Sequence, residues 1–144
     1  QTNKARALLG VANLHVVETL DRERAARALQ RAAEELQRTV RVMVQVNTGG
    51  EESKAGVAPG DAAQLVNFVR TECPRLELAG LMTIGRPGRT EDLRALADLR
   101  NRLVADGALP HGAGLSMGMS ADYLAAIELG STSVRVGSTI FGAR

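Results

Sequence analysis

The stretch LSMGMSADYLAAIELGSTSVRVGSTIFG, Leu115 to Gly142, decides the fold. It opens on a run of small and apolar residues, LSMGMS, that ends in the hydroxyl of Ser120. A short amphipathic segment follows, Ala121 to Leu129, with Leu124, Ile127 and Glu128 at helical spacing and a stop at Gly130. A second strand is expected over SVRVGSTIFG, where Val134, Val136, Ile140 and Phe141 are apolar. Strand, helix, strand in this order places the two strands parallel in one sheet. Their carboxyl ends then share an edge, which brings Ser120 close to Gly137, Ser138 and Thr139. Arg135 precedes Gly137 by two residues, so both positions face the same side of the strand. Hydroxyls, a glycine that admits close approach, N–H groups and an arginine at one spot make an anion or phosphate site. Ser116, two residues before Gly118 on the first strand, is a further candidate. The competing structural readings are a buried ion pair for Arg135 and plain turn chemistry for the Ser-Gly pair.

The upstream chain repeats the same alternation. Thr2 to Gly10 reads as a helix with Ala5, Leu8 and Leu9 on one side, and Lys4 and Arg6 on its solvated face. Leu14 to Thr19 is a short buried strand, after which Thr19 or Asp21 caps a helix from about Arg22 to Leu36. His15 beside that strand is read as structural or surface. Val40 to Val46 is the strongest strand: Val42, Val44 and Val46 alternate with Arg41, Met43 and Gln45, as a barrel strand with two distinct faces requires. Its carboxyl end delivers Asn47-Thr48-Gly49-Gly50, then Glu51, Glu52, Ser53 and Lys54. Because that end is the functional face of a parallel barrel, Asn47 and Lys54 become candidates of second rank. Asp61 to Cys73 is a helix ended by Cys73-Pro74, Leu76 to Ile84 a strand, and Glu91 to Ala105 an amphipathic helix. Five strands separated by helices predict an α/β domain with a parallel sheet, residues 1–144 forming one unit.

Composition narrows the function classes. A length of 144 residues suits one domain, although a complete barrel of this type typically needs about 250. Aromatic residues are only 2%, so the core must be built of aliphatic side chains and Met. A formal charge of +2, without aromatics interleaved among basic residues, argues against a nucleic-acid partner. No apolar run approaches the ~18 residues of a membrane span. The single Cys73 has no second Cys or His nearby, so neither a metal role nor a nucleophile is expected, and a reducing compartment fits.

The closing LSMGMSADYLAAIELGSTSVRVGSTIFGAR resembles the carboxyl-terminal signature of the pyridoxal phosphate homeostasis proteins, the YggS or PROSC family. VMVQVNTGGEESKAGV (Val42 to Val57), LAGLMTIG (Leu78 to Gly85) and the opening QTNKARALLGV agree, so the resemblance covers essentially the whole chain. It implies a (β/α)8 barrel similar to the amino-terminal domain of alanine racemase, holding pyridoxal 5′-phosphate. It further implies that this chain corresponds to about strands 4 to 8, the carboxyl-terminal five βα units. The Schiff-base lysine of the family would lie on the first strand, ahead of Gln1.

By the same resemblance, Ser120, Gly137 and Ser138 would hold the phosphate, with Ser116 contributing, and Arg135 would face the pyridine nitrogen. Met82 would pack against the ring, although a Met in a barrel strand is more often plain core. Lys54 would come near the phenolic oxygen, where it could also capture the aldehyde transiently. An arginine keeps its proton at ordinary pH, so the ring nitrogen would stay unprotonated and the ring would be a poorer electron sink. The expectation is a non-catalytic, cytoplasmic carrier of the cofactor, a mitochondrial location being left open, with cofactor-dependent apoenzymes as possible recipients. The alternative is a racemase-like enzyme. That fold needs a second domain with a catalytic tyrosine, none is expected after Arg144, and the one tyrosine, Tyr123, sits at a helix start. A phosphate-binding metabolic enzyme of another class would need carboxylates or histidines at strand ends, where Ser, Thr, Asn and Gly dominate.

Overall fold

In the computed structural model, residues 1–51 and 53–142 are described; Glu52, Ala143 and Arg144 lie outside. Five strands form one sheet in the order β1-β2-β3-β4-β5, and every neighbouring pair is parallel. They are β1 (Val17–Leu20), β2 (Val40–Gln45), β3 (Leu76–Met82), β4 (Gly114–Met119) and β5 (Ser133–Arg135). After a 3-10 turn at Thr2–Lys4 come the helices α1 (Ala5–Leu9), α2 (Glu23–Glu35), α3 (Ala62–Glu72), α4 (Thr90–Ala105), α5 (Tyr123–Glu128) and α6 (Ser138–Phe141). Sequential strands lie side by side with helices between them, so the sheet curls as a half-barrel with a convex face under the helices and a concave interior.

The alternation in β2 decides which side is which. Val40, Val42, Val44 and Val46 join the main core with Leu29, Ala33, Val66 and Val69 from α2 and α3. Each buried valine contributes about 1.5–3 kcal/mol. The opposite side is much smaller: Met43, Ala79 and Met82 form a separate cluster, with Val16 and Ile84 against it. Two polar contacts tie the helix layer together. Arg27 stacks over the Phe68 ring at 4.6 Å, joining α2 to α3. Buried Gln30 accepts from the Arg75 N–H at 2.9 Å and so pins α2 to the entry of β3.

The β2–β3 register slips by one residue between Val42 and Met43, because Ala79 is an extra residue in β3. Gly80 makes the bulge possible: its φ is +147°, and a Cβ there would run into the Gly114 backbone of β4. Only glycine permits that approach.

Several expected boundaries move. The first strand starts at Val17 rather than Leu14, and the third stops at Met82. Neither Thr19 nor Asp21 caps α2; Arg22 occupies that position with no side-chain cap, while the Asp21 carboxylate accepts from Arg22 at 3.1 Å. Leu8 is exposed rather than packed. The largest correction is at the end. SVRVGSTIFG is not one strand: pairing stops at Arg135, and Ser138–Phe141 turns into α6. The N–H groups of Ile140 and Phe141 both donate to the Gly137 carbonyl at 2.9 Å, which closes a helical turn in place of a ladder. The period-two pattern of Val134 and Val136 is already broken by adjacent Ile140 and Phe141, and these two side chains are 67% and 86% exposed. Leu124 and Ile127 of α5 are also exposed, and Ala126 is the residue that α5 buries against the sheet.

Candidate functional site

The strand ends generate two groups of polar atoms at the carboxyl edge. The first surrounds Ser120. In β4 the chain leaves the sheet through Gly118, whose φ is +94°, and the Asp122 carboxylate accepts from the Met119 N–H at 2.7 Å to fix the turn into α5. Ser120 then projects its Oγ toward the end of β5, where it accepts from the Gly137 N–H at 3.2 Å and the Thr139 N–H at 3.4 Å. The structure thus brings Ser120, Gly137 and the Ser138–Thr139 segment together. Gly137 and Ser138 are exposed, and nothing lies within 4 Å of the place a Gly137 Cβ would take. These N–H groups are long-bonded to a rotatable hydroxyl, an arrangement that an anion with stronger acceptor oxygens can replace.

The second group centres on Arg135 in the concave interior. Its Nη1 donates to Ser116 Oγ at 2.5 Å and its Nη2 to the Thr83 carbonyl at 2.7 Å. Ser116 has no exposed surface, and its hydroxyl donates to Glu18 Oε2 at 2.7 Å. Glu18 and Arg135 form an ion pair at 3.9 Å. Burial pushes the Arg135 guanidinium below its ordinary value, against the carboxylates of Glu18 and Asp122, which push it up. It remains a cation over the physiological range. Both readings of Arg135 therefore hold at once: it is ion-paired and it faces the interior. Ser116 is drawn into this group and away from the Ser120 turn, because its one proton and its acceptor position are used by Glu18 and Arg135.

Of the other candidates, Met82 is 3% exposed and belongs to the apolar interior cluster. The Asn47 amide closes its own loop, donating to the carbonyls of Glu51 at 2.8 Å and Lys54 at 3.4 Å. Lys54 is exposed and lines a small recess with Asn47, Thr83, Ile84 and Gly85. That recess adjoins the residue whose carbonyl anchors Arg135. Sequence reasoning passed over Glu18 and Thr83. The signal for Glu18 was a lone carboxylate in the apolar run LHVVET; for Thr83 there was none, since its part is played by backbone.

Beyond these groups, Asp92 is 2% exposed and accepts three bonds from Arg86: from the backbone N–H at 2.8 Å, Nε at 2.9 Å and Nη2 at 2.6 Å. The Arg86 side chain holds the Asp92 carboxyl below its ordinary value against the opposing effect of burial. This clamp shapes the β3–α4 loop beside the Lys54 recess. No group of three or more His, Cys, Asp and Glu able to hold a metal occurs among the described residues, and no described helix is long and apolar enough to cross a membrane.

The profile of the family described as alanine racemase, N-terminal domain, matches residues 2–144. The chain belongs to this family. It is 45% identical over 150 residues to the pyridoxal phosphate homeostasis protein of Schizosaccharomyces pombe, covering all of this chain and 62% of that protein. The human protein of the same name is 40% identical over 153 residues, again with the whole chain aligned and 56% of the relative covered. The chain thus spans somewhat over half the length of these curated relatives. Among solved structures, PipY of Synechococcus elongatus PCC7942 with PLP bound superposes with a TM-score of 0.77 at 30% identity, covering 99% of this chain and 66% of that one. The family assignment and this superposition identify the five-stranded half-barrel as part of an alanine racemase-like TIM barrel.

Proposed function

We propose that this chain forms the carboxyl-edge part of a pyridoxal 5′-phosphate site and that the protein serves cofactor homeostasis as a non-catalytic carrier. One observation carries the proposal: two donor groups of different chemistry stand side by side at the end of β5, Arg135 as its last residue and Gly137 two residues beyond. The Gly137 and Thr139 N–H groups, with Ser120 and Ser138, suit a phosphate dianion. The anchored guanidinium of Arg135 suits an acceptor nitrogen, because arginine donates and does not yield its proton. A phosphorylated pyridine offers both partners on one small molecule. Relatives named for pyridoxal phosphate homeostasis and a PLP-bound structural relative support the same ligand.

In this reading Ser120, Gly137 and Ser138 hold the phosphate, Arg135 orients the ring nitrogen, and Ser116 acts by holding Arg135. Met82 supplies apolar packing on the interior side, Asn47 shapes the loop, and Lys54 lies near the phenolic oxygen. Bound pyridoxal 5′-phosphate supplies an aldehyde and an electron-withdrawing ring. An arginine at the nitrogen leaves that ring a weak electron sink, which favours holding the cofactor over catalysis on it. Recipient apoenzymes and a cytoplasmic setting belong to the same proposal. A racemase function has less support: the one tyrosine, Tyr123, opens α5 and is part of neither donor group, and the Glu18 carboxylate is engaged by Ser116 and Arg135.

Calorimetric titration with pyridoxal 5′-phosphate tests the proposal. Saturable 1:1 binding is expected, competed by inorganic phosphate and weakened about tenfold or more in Arg135→Ala, a loss of about 1.4 kcal/mol. Absence of saturable binding, or unchanged affinity in both Arg135→Ala and Ser120→Ala, overturns it.

A further inference from the structure

Glu18 is the charged interior residue for which the phosphate turn has no use. It lies on β1, at the opposite edge of the sheet from β5 and three strands from β4. No ladder pairing brings it to Ser116, 98 residues away in sequence; the contact spans the hollow of the half-barrel. Carboxylates are rarely placed in such interiors without a partner.

The partner is a relay. Ser116 has one proton, and it is donated to Glu18 Oε2 at 2.7 Å. With the proton committed there, the oxygen's lone pairs are left for the Arg135 Nη1–H at 2.5 Å. Without an acceptor at Glu18, the serine hydroxyl is free to rotate, and its lone pairs are no longer held in line with the Arg135 Nη1–H. The direct Glu18–Arg135 separation of 3.9 Å is too long for a hydrogen bond, so the serine is the link. Meanwhile Nη2 is tied to the Thr83 carbonyl at 2.7 Å. Two bonds on two different nitrogens fix the guanidinium plane. Of its five N–H donors, two are engaged in this way, which leaves three for a ligand.

We propose that Glu18 is a positioning residue for the cofactor ring, aligning the Arg135 guanidinium with the pyridine nitrogen through the hydroxyl of Ser116. The inference rests on the pyridoxal 5′-phosphate reading above and adds to it a residue that touches no ligand. It also divides the site into a ring end governed by Glu18 and a phosphate end that is independent of it.

The test uses Glu18→Ala, Glu18→Gln and Ser116→Ala, each titrated with pyridoxal 5′-phosphate and, separately, with inorganic phosphate. Loss of one relayed hydrogen bond corresponds to an affinity change of about three- to tenfold. Glu18→Ala should weaken pyridoxal 5′-phosphate by that factor, shift the absorption band of the bound ring, and leave the affinity for inorganic phosphate unchanged. Glu18→Gln keeps an acceptor oxygen for Ser116 and should recover most of the loss. Ser116→Ala, a smaller change within β4, should reproduce the Glu18→Ala result should that variant fold poorly. Parent-like affinity and band position in Glu18→Ala and Ser116→Ala, or equal losses for both ligands, would overturn the role of Glu18 while leaving the cofactor reading intact. Failure of the unsubstituted chain to bind pyridoxal 5′-phosphate would overturn both.

Discussion

Gly118 joins fold to site, because its backbone turn lies against α5 and two residues before Ser120, so Gly118→Ala is a demanding test. The residue has φ +94° within β4, a conformation that costs an L-residue about 1–2 kcal/mol. The new Cβ would sit 2.5 Å from the Ala126 Cβ and 3.1 Å from the Tyr123 Cα. Contacts that short force the α5 helix away from the sheet, and such overpacking typically costs about 1–3 kcal/mol. The sum is about 2–5 kcal/mol. For a domain of this length, each kcal/mol lowers Tm by about 3–4 °C, so the loss should be roughly 6–20 °C.

The second consequence concerns binding. Asp122 immediately precedes α5 and holds the Met119 N–H, next to Ser120, so pushing α5 outward disturbs the Ser120 turn. Affinity for inorganic phosphate should fall along with Tm. Ala126→Gly removes the atom that collides, at an intrinsic helix cost of about 1 kcal/mol. The double variant should therefore lose less than the sum of the two singles, by about 1–2 kcal/mol, leaving the backbone strain unrelieved. Thermal melts followed by circular dichroism on the four chains measure this cycle. A Gly118→Ala chain melting within about 1 °C of the parent, or strict additivity in the double variant, would refute the reasoning.

Asp92→Asn should flatten part of the acid branch of the stability curve. Its carboxyl is held below the ordinary value of 3.8, so the stability it adds is complete above that pH and disappears as the pH falls through the lowered value; melting temperatures of parent and variant should converge in acid, and a constant gap would refute this. Arg38 donates to the carbonyls of Leu9 at 2.5 Å and Val11 at 3.0 Å, so Arg38→Ala should loosen the first twelve or so residues, seen as faster amide exchange confined to α1 and the turn after it. Lys54→Ala should abolish a borohydride-fixed pyridoxyl label at residue 54 while leaving noncovalent affinity within about threefold; retention of the label elsewhere at full yield would remove Lys54 from the site.

Much of this arrangement was legible in the sequence because strand and helix periods differ. The valine alternation in β2 marked both faces of a barrel strand, and the strand–helix–strand pattern of residues 115–135 was enough to place Ser120 beside Gly137. The illegible parts have specific causes. SVRVGSTIFG was read through as one strand because its residues are β-formers. Yet strand propensity describes fit to a half-buried pleated surface, and among the described residues no strand pairs with them beyond Arg135. Ser116 was read as contributing to the phosphate because it lies in the same LSMGMS run as Ser120, two residues before Gly118. Its true partners, Glu18 and Arg135, come from the opposite strand and the next one, and contacts across a barrel leave no local trace. The bulge at Gly80 was equally invisible, since it answers to the backbone of Gly114.

The two donor groups differ in how they are held, and that difference is physically meaningful. The proposed phosphate end consists of exposed N–H groups bonded at 3.2 and 3.4 Å to one hydroxyl, a set that a stronger acceptor can replace. The proposed ring end is half-buried and already held without ligand, with short bonds to Ser116 of β4 and to the Thr83 carbonyl just past β3, and a carboxylate behind the relay. Preorganised groups add affinity because their ordering cost is met on folding, whereas adaptable groups add it only after rearrangement. The carrier proposed here would have to release its cargo as well as bind it. In the proposed site, a rigid arginine that selects the ring, paired with a replaceable serine that can return to its N–H partners when the phosphate leaves, meets both demands only if the two ends act independently. The unequal response of pyridoxal 5′-phosphate and inorganic phosphate to Glu18→Ala measures that independence.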